Sequence, residues 1–107
     1  MRFPTTLLVL VLALLASACA DDGGDLVARG ERVYRANCIA CHNMDPARDG
    51  VMGPAVAGAS IELLEARVLR AEYPEGYKPK RETEMMVAMP FLRDDIPALA
   101  AFLAKPE

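Results

Sequence analysis

Two hydrophobic patterns divide the chain. Ten apolar residues run unbroken from Leu7 to Ala16, whereas past Asp25 the apolar positions recur every third or fourth residue, as on one face of a helix. The first periodic stretch predicts a helix from Leu26 to about Cys41, capped by Asp25, with Val27, Gly30, Val33, Tyr34 and Cys38 at three- and four-residue steps. Residues 43–58 break that period with Gly50, Gly53, Pro54 and Gly58 and read as loop. Ser60 is a good N-cap for a middle helix from Ile61 to about Glu72. Its Ile61, Leu64, Val68 and Leu69 share one side, while Glu62, Glu65, Arg67 and Arg70 are expected to stay in water. Pro74 stops it, and an irregular segment carries Lys78, Lys80 and Arg81 and then Met85, Met86 and Met89. A last helix begins near Asp94 and presents Ile96, Leu99, Phe102 and Leu103. It admits Pro97 in its first turn, where a missing N–H has no intrahelical partner to lose. No stretch alternates long enough to make a convincing strand, so the fold class is all-α with three main helices.

The unbroken run changes the compartment. At ten residues it is short of the about 20 that a helix needs to cross a bilayer, and it follows Arg2, so residues 1–18 read as a secretory leader. Its end carries two signals. Ala16-Ser17-Ala18 is a cleavage pattern for small residues, and Leu15-Ala16-Ser17-Ala18-Cys19 resembles a bacterial lipobox, although a lipobox ordinarily has leucine where Ala16 stands. In the second reading Cys19 is lipidated, residues 19–25 form a flexible acidic tether, and 26–107 are one domain held at a membrane. Export to the bacterial periplasm follows from either. Without Arg2 the chain has eleven basic against 15 acidic side chains, a balance that disfavours nucleic acid as a partner. A domain this short buries a limited core unless something staples it.

The chemistry concentrates in Cys38-Ile39-Ala40-Cys41-His42, which holds the one histidine of the chain. In a helical turn these three side chains share a face, at about 5–6 Å between Cβ atoms. C-x-x-C-H is read as a c-type haem attachment site, in which the thiols of Cys38 and Cys41 add to the two vinyl groups and His42 supplies an axial nitrogen to the iron. A disulfide between Cys38 and Cys41 leaves the adjacent histidine to chance. A thioredoxin-like pair expects a βαβ neighbourhood, and structural zinc needs a fourth ligand that the domain lacks.

Taken together, Gly30-x-x-x-Tyr34-x-x-x-Cys38-x-x-Cys41-His42, Gly53-Pro54-Ala55-Val56-Ala57-Gly58, Met89-Pro90-x-Leu92 and the closing helix with Leu99 and Phe102 resemble a class I cytochrome c from about Leu26 to Ala104. The resemblance implies three main helices around one covalently bound haem c, with crossing first and last helices that approach at Gly30 and pack aromatics such as Tyr34 and Phe102. It implies that the Pro54 carbonyl accepts a hydrogen bond from Nδ1 of His42, and that a methionine sulfur binds the opposite face of the iron. Met89, followed by proline as in the family, is the expected ligand. Met85 and Met86 are the alternatives, with filling irregular gaps as their ordinary role. Met44 lies too near His42, and Met52 precedes the turn expected to support it.

With His42 and Met89 both bound the iron has no open position, which implies outer-sphere electron transfer. The expected function is a periplasmic electron carrier that is not itself an enzyme. Its partners are redox proteins, with a membrane reached through Cys19, and it is a monomer or a subunit of a complex. The alternative is the electron-accepting cytochrome subunit of a periplasmic dehydrogenase. Lys78, Lys80 and Arg81 are expected at the haem edge, where they, with Tyr73 and Tyr77, would meet acidic partners or the haem propionates.

Overall fold

The computed structural model describes residues 23–82 and 84–104; the leader, Cys19 and most of the tether lie outside the described residues. Helix α1 spans Gly23–Asn37. Helix α2, Ile61–Leu64, starts at Ser60, whose hydroxyl accepts from the Leu63 amide at 3.1 Å, and runs on directly as a π-helical turn, Glu65–Leu69. A 3-10 segment, Pro90–Asp95, leads into helix α3, Ile96–Leu103, with Pro97 in its first turn. Among the described residues there is no β-strand, and no helix is long and apolar enough to cross a membrane.

The three helices fall where the apolar period puts them, and their ends differ for local reasons. Helix α1 begins at Gly23, so the last residues of the expected tether are helical, and Asp25 lies inside the first turn instead of capping it. It stops at Asn37, four residues before Cys41, and Cys38–His42 form a turn of their own. Helix α2 gives way at Ala71, whose φ of 56° is the left-handed conformation that usually ends a helix at glycine. The approach to α3 is a 3-10 turn that Pro90 opens, where its missing N–H has no intrahelical partner to lose.

Helices α1 and α3 make the principal packing of the fold and meet at Gly30. A Cβ there would lie 2.5 Å from the Ala98 carbonyl carbon and 2.8 Å from Cβ of Phe102, so only glycine allows the two backbones to come this close. Tyr34, Leu64, Val68, Leu92, Ile96 and Leu99 belong to the buried core beside that contact. Arg29 ties the middle of α1 to the end of the 3-10 segment, with two guanidinium nitrogens 3.0 and 2.7 Å from Oδ1 of Asp95. The π-helical turn matters for the rest of the chain. Its Val68 carbonyl accepts from the Met89 amide at 2.6 Å, which fixes the methionine segment to this turn.

Candidate functional site

The turn that follows α1 is made by one acceptor. The Cys38 carbonyl takes the amides of Cys41 at 3.3 Å and His42 at 2.9 Å, while the Cys38 amide still donates to Tyr34 at 2.9 Å. One extra turn of chain therefore carries both sulfurs and the imidazole, although the regular helix has ended. The Cys41 carbonyl next receives the amides of Met52 and Gly53, at 3.2 and 2.9 Å, and folds the loop back beneath His42. Asp49 holds the same loop through Oδ1, which accepts from the Ala55 amide at 2.9 Å.

His42 is fixed on two sides. Its Nδ1 lies 2.8 Å from the Pro54 carbonyl. A carbonyl only accepts, so Nδ1 carries the proton and Nε2 keeps its lone pair for a metal. Gly53 lies flat against the ring: a Cβ there would sit 2.5 Å from both Cε1 and Nδ1. The loop clamps the imidazole by backbone alone.

This arrangement opens on a cavity of about 480 Å³. Cys38, Cys41 and His42 line it together with Met52, Met85, Met86 and Met89, and Val56, Leu64, Leu99 and Leu103 give it apolar walls. Val33 and Phe102 do not line it and pack against the core, with the Phe102 ring centre 5.4 Å from that of Tyr34. Of the methionines, Met85 is 65% exposed, whereas Met86 and Met89 pack against the core. Met44 is exposed and does not line the cavity.

The donor set and the space fit a haem c. Two free thiols and one oriented imidazole sit at the wall of a large, mainly apolar recess, and thioether sulfurs line it as well. Burial pushes the Cys38 thiol up to about 11, so as a thiol it stays protonated at neutral pH. Among the described residues no cluster of three or more His, Cys, Asp or Glu is placed to hold a bare metal ion.

Three cationic side chains also line the cavity. Lys80 donates to the Ala55 carbonyl at 2.8 Å, and Arg81 reaches the Gly50 carbonyl at 3.3 Å and Asp49 at 3.8 Å, so both are joined to the loop that supports His42. Lys78 is exposed and does not line it. The third is Arg67, which the amphipathic pattern leaves in water. It is instead half-buried in the cavity wall, its guanidinium 4.1 Å from the centre of the Tyr73 ring. The signal for it was its place three residues after Leu64, on the margin of the apolar side, followed by the tyrosines at 73 and 77.

A family model described as Cytochrome c matches residues 27–106. No curated protein and no solved structure matches the chain.

Proposed function

The chain belongs to the cytochrome c family and binds a covalently attached haem c; we propose that it is a periplasmic one-electron carrier whose haem iron takes His42 and Met89 as axial ligands. Haem-based electron transfer is the family's activity, and the bound haem supplies an iron that alternates between ferric and ferrous states. The observation that carries the finer reading is the His42 ring, held by the Pro54 carbonyl at 2.8 Å so that Nε2 is the free donor.

In this reading Cys38 and Cys41 fasten the porphyrin edge as thioethers, and His42 binds the iron without reorienting, because Gly53 and Pro54 already fix its ring. Met89 is supported over Met85 by its anchorage: its amide is bonded to Val68 and its side chain packs against the core, while Met85 is largely exposed. A soft thioether on the iron favours the ferrous state and closes the coordination sphere to substrates. The mainly apolar walls lower the local dielectric, so the charge change at the iron is screened less than in water.

Export and lipidation rest on the leader and on Cys19. A short tether there would raise the carrier's effective concentration near membrane-bound redox proteins, which suits partners that meet through small, weak interfaces. Replacing Cys19→Ala is expected to move the protein from the membrane fraction to the soluble periplasm; an unchanged distribution would remove the anchor from the proposal.

The test of ligation is the optical spectrum of the periplasmically matured protein, oxidised and reduced, repeated on Met89→Ala. A low-spin spectrum whose weak sulfur-to-iron band is lost in the variant is expected. A high-spin spectrum that binds carbon monoxide without any substitution would mean an open iron and overturn the carrier.

A further inference from the structure

Asp49 stands behind the group that orients His42. The Pro54 carbonyl, 2.8 Å from Nδ1 of His42, and the Ala55 amide, which donates to Oδ1 of Asp49 at 2.9 Å, are the two ends of one peptide unit. That unit is planar and trans, so its C=O and N–H point in opposite directions, and the imidazole and the carboxylate lie on opposite sides of it. Carboxylate, amide, carbonyl and imidazole thus form one chain of hydrogen bonds.

The loop does not need the charge of Asp49 to keep its shape. The Gly50 amide donates to the Gly53 carbonyl at 2.8 Å, the Asn43 side chain donates to the Asp49 carbonyl at 3.3 Å, and Lys80 and Arg81 grip the carbonyls of Ala55 and Gly50. A neutral oxygen in the place of Oδ1 would hold the Ala55 amide in the same geometry; what a carboxylate adds is charge. Part of that charge is offset by Arg81, whose guanidinium lies 3.8 Å from Oδ2. The Asp49 side chain is 69% exposed, so water and salt screen its direct field at the site, and the bonded chain is the route by which it acts on His42.

We propose that Asp49 is a positioning residue that acts on His42 through the Pro54–Ala55 peptide, strengthening the Pro54 carbonyl as an acceptor, and that it thereby lowers the reduction potential. The proposal rests on the haem reading above. Hydrogen bonds to an ionised acceptor are about twice as strong as neutral ones, and successive bonds polarise one another by roughly 10–30% each. A more negative carbonyl draws the Nδ1 proton further from the ring, which makes Nε2 a stronger donor. A stronger donor stabilises the ferric iron, the more highly charged state, over the ferrous one.

Equilibrium redox titration of the matured, haem-loaded protein tests this on Asp49→Asn and Asp45→Asn. Asparagine keeps an oxygen for the Ala55 amide and loses the charge. Asp45 accepts from the Ala47 amide at 3.0 Å and is not bonded to the Pro54–Ala55 peptide, so its variant removes the same charge from the same loop. In Asp49→Asn the equilibrium constant for reduction is expected to rise about threefold, about 28 mV at 59 mV per tenfold change. Most of that rise should persist at about 1 M salt, where the Debye length is about 3 Å, and Asp45→Asn should change little. Equal shifts in the two variants, or a shift in Asp49→Asn that salt abolishes, would reduce Asp49 to an ordinary surface charge and overturn the proposal. By NMR of the reduced protein, the His42 Nδ1 proton should move upfield in Asp49→Asn as its bond to Pro54 weakens; an unmoved proton also overturns it. Either failure leaves the haem reading intact, because covalent haem is seen in the spectrum of the unmodified protein. A last readout needs no variant: the Ala55 amide of the unmodified protein should be protected from hydrogen exchange, and exchange at the rate of an unbonded loop amide would break the chain at its first link.

Discussion

Tyr34 joins the helix contact to the site. It is 1% exposed, stacks at a tilt against Phe102, and its hydroxyl donates to the Asn43 carbonyl at 2.5 Å, just beyond the turn that bears His42. Burial first, then the charges at Cys38 and Asp45, push its phenol up from 10.0 to about 12, and burial acts whether or not the Cys38 sulfur is a thioether. The folded chain therefore favours the neutral phenol. The stability this confers is complete below pH 10, where the unfolded phenol also keeps its proton, and is lost as the pH rises towards 12. Two units correspond to a loss on the order of 3 kcal/mol across that window. Tyr34→Phe should cost about 1 kcal/mol at neutral pH, for the missing hydrogen bond. It should also flatten the alkaline slope between pH 10 and 12, read by denaturant unfolding at a series of pH values. An unchanged slope would mean that Tyr34 ionises as freely folded as unfolded.

At the scale of elements, the sequence shows clearly what depends on a helical period and poorly what depends on how a helix ends. Val27, Gly30, Val33 and Tyr34 place α1, and Ile96, Leu99 and Leu103 place α3, because each set must face a partner. The stop at Asn37 and the turn on the Cys38 carbonyl are settled instead by loop 43–58 folding back onto Cys41, a contact invisible to local pattern. Arg67 is misread for a related reason: its neighbours Glu65 and Arg70 are exposed, and nothing in the period of α2 announces a left-handed Ala71 that turns Tyr73 back over it. Gly30 gives the sharpest test of an element contact. Gly30→Ala places a methyl group against the Ala98 backbone, which has no rotamer to yield, and should destabilise by about 3 kcal/mol or more. Arg29→Ala, one residue earlier, removes a partly exposed ion pair with Asp95 and should cost under about 1 kcal/mol. Thermal unfolding of the two holoproteins compares them directly. Similar losses would mean that α1 and α3 can slide apart to accept the methyl group.

The whole molecule is organised around space that its own side chains do not fill. Were a cavity of about 480 Å³ kept dry and empty, the cost at about 24 cal/mol per Å³ would be on the order of 10 kcal/mol, comparable with the entire stability of a small domain. The cavity is open, so water would relieve part of this, but water gains little against walls made by Val56, Leu64, Leu99 and Leu103. Its core is small, and Leu64, Val68, Leu99 and Leu103 serve both the core and the cavity lining. Removing the covalent attachment should therefore loosen the core along with the site. The Cys38→Ala/Cys41→Ala chain, matured without haem, is expected to retain helical far-ultraviolet dichroism while losing a cooperative thermal transition and binding a hydrophobic dye, the marks of a compact state without fixed packing. Sharp, near-native unfolding of that variant would show instead that α1 and α3, joined at Gly30, suffice to order the chain, and that the haem occupies a scaffold already stable without it.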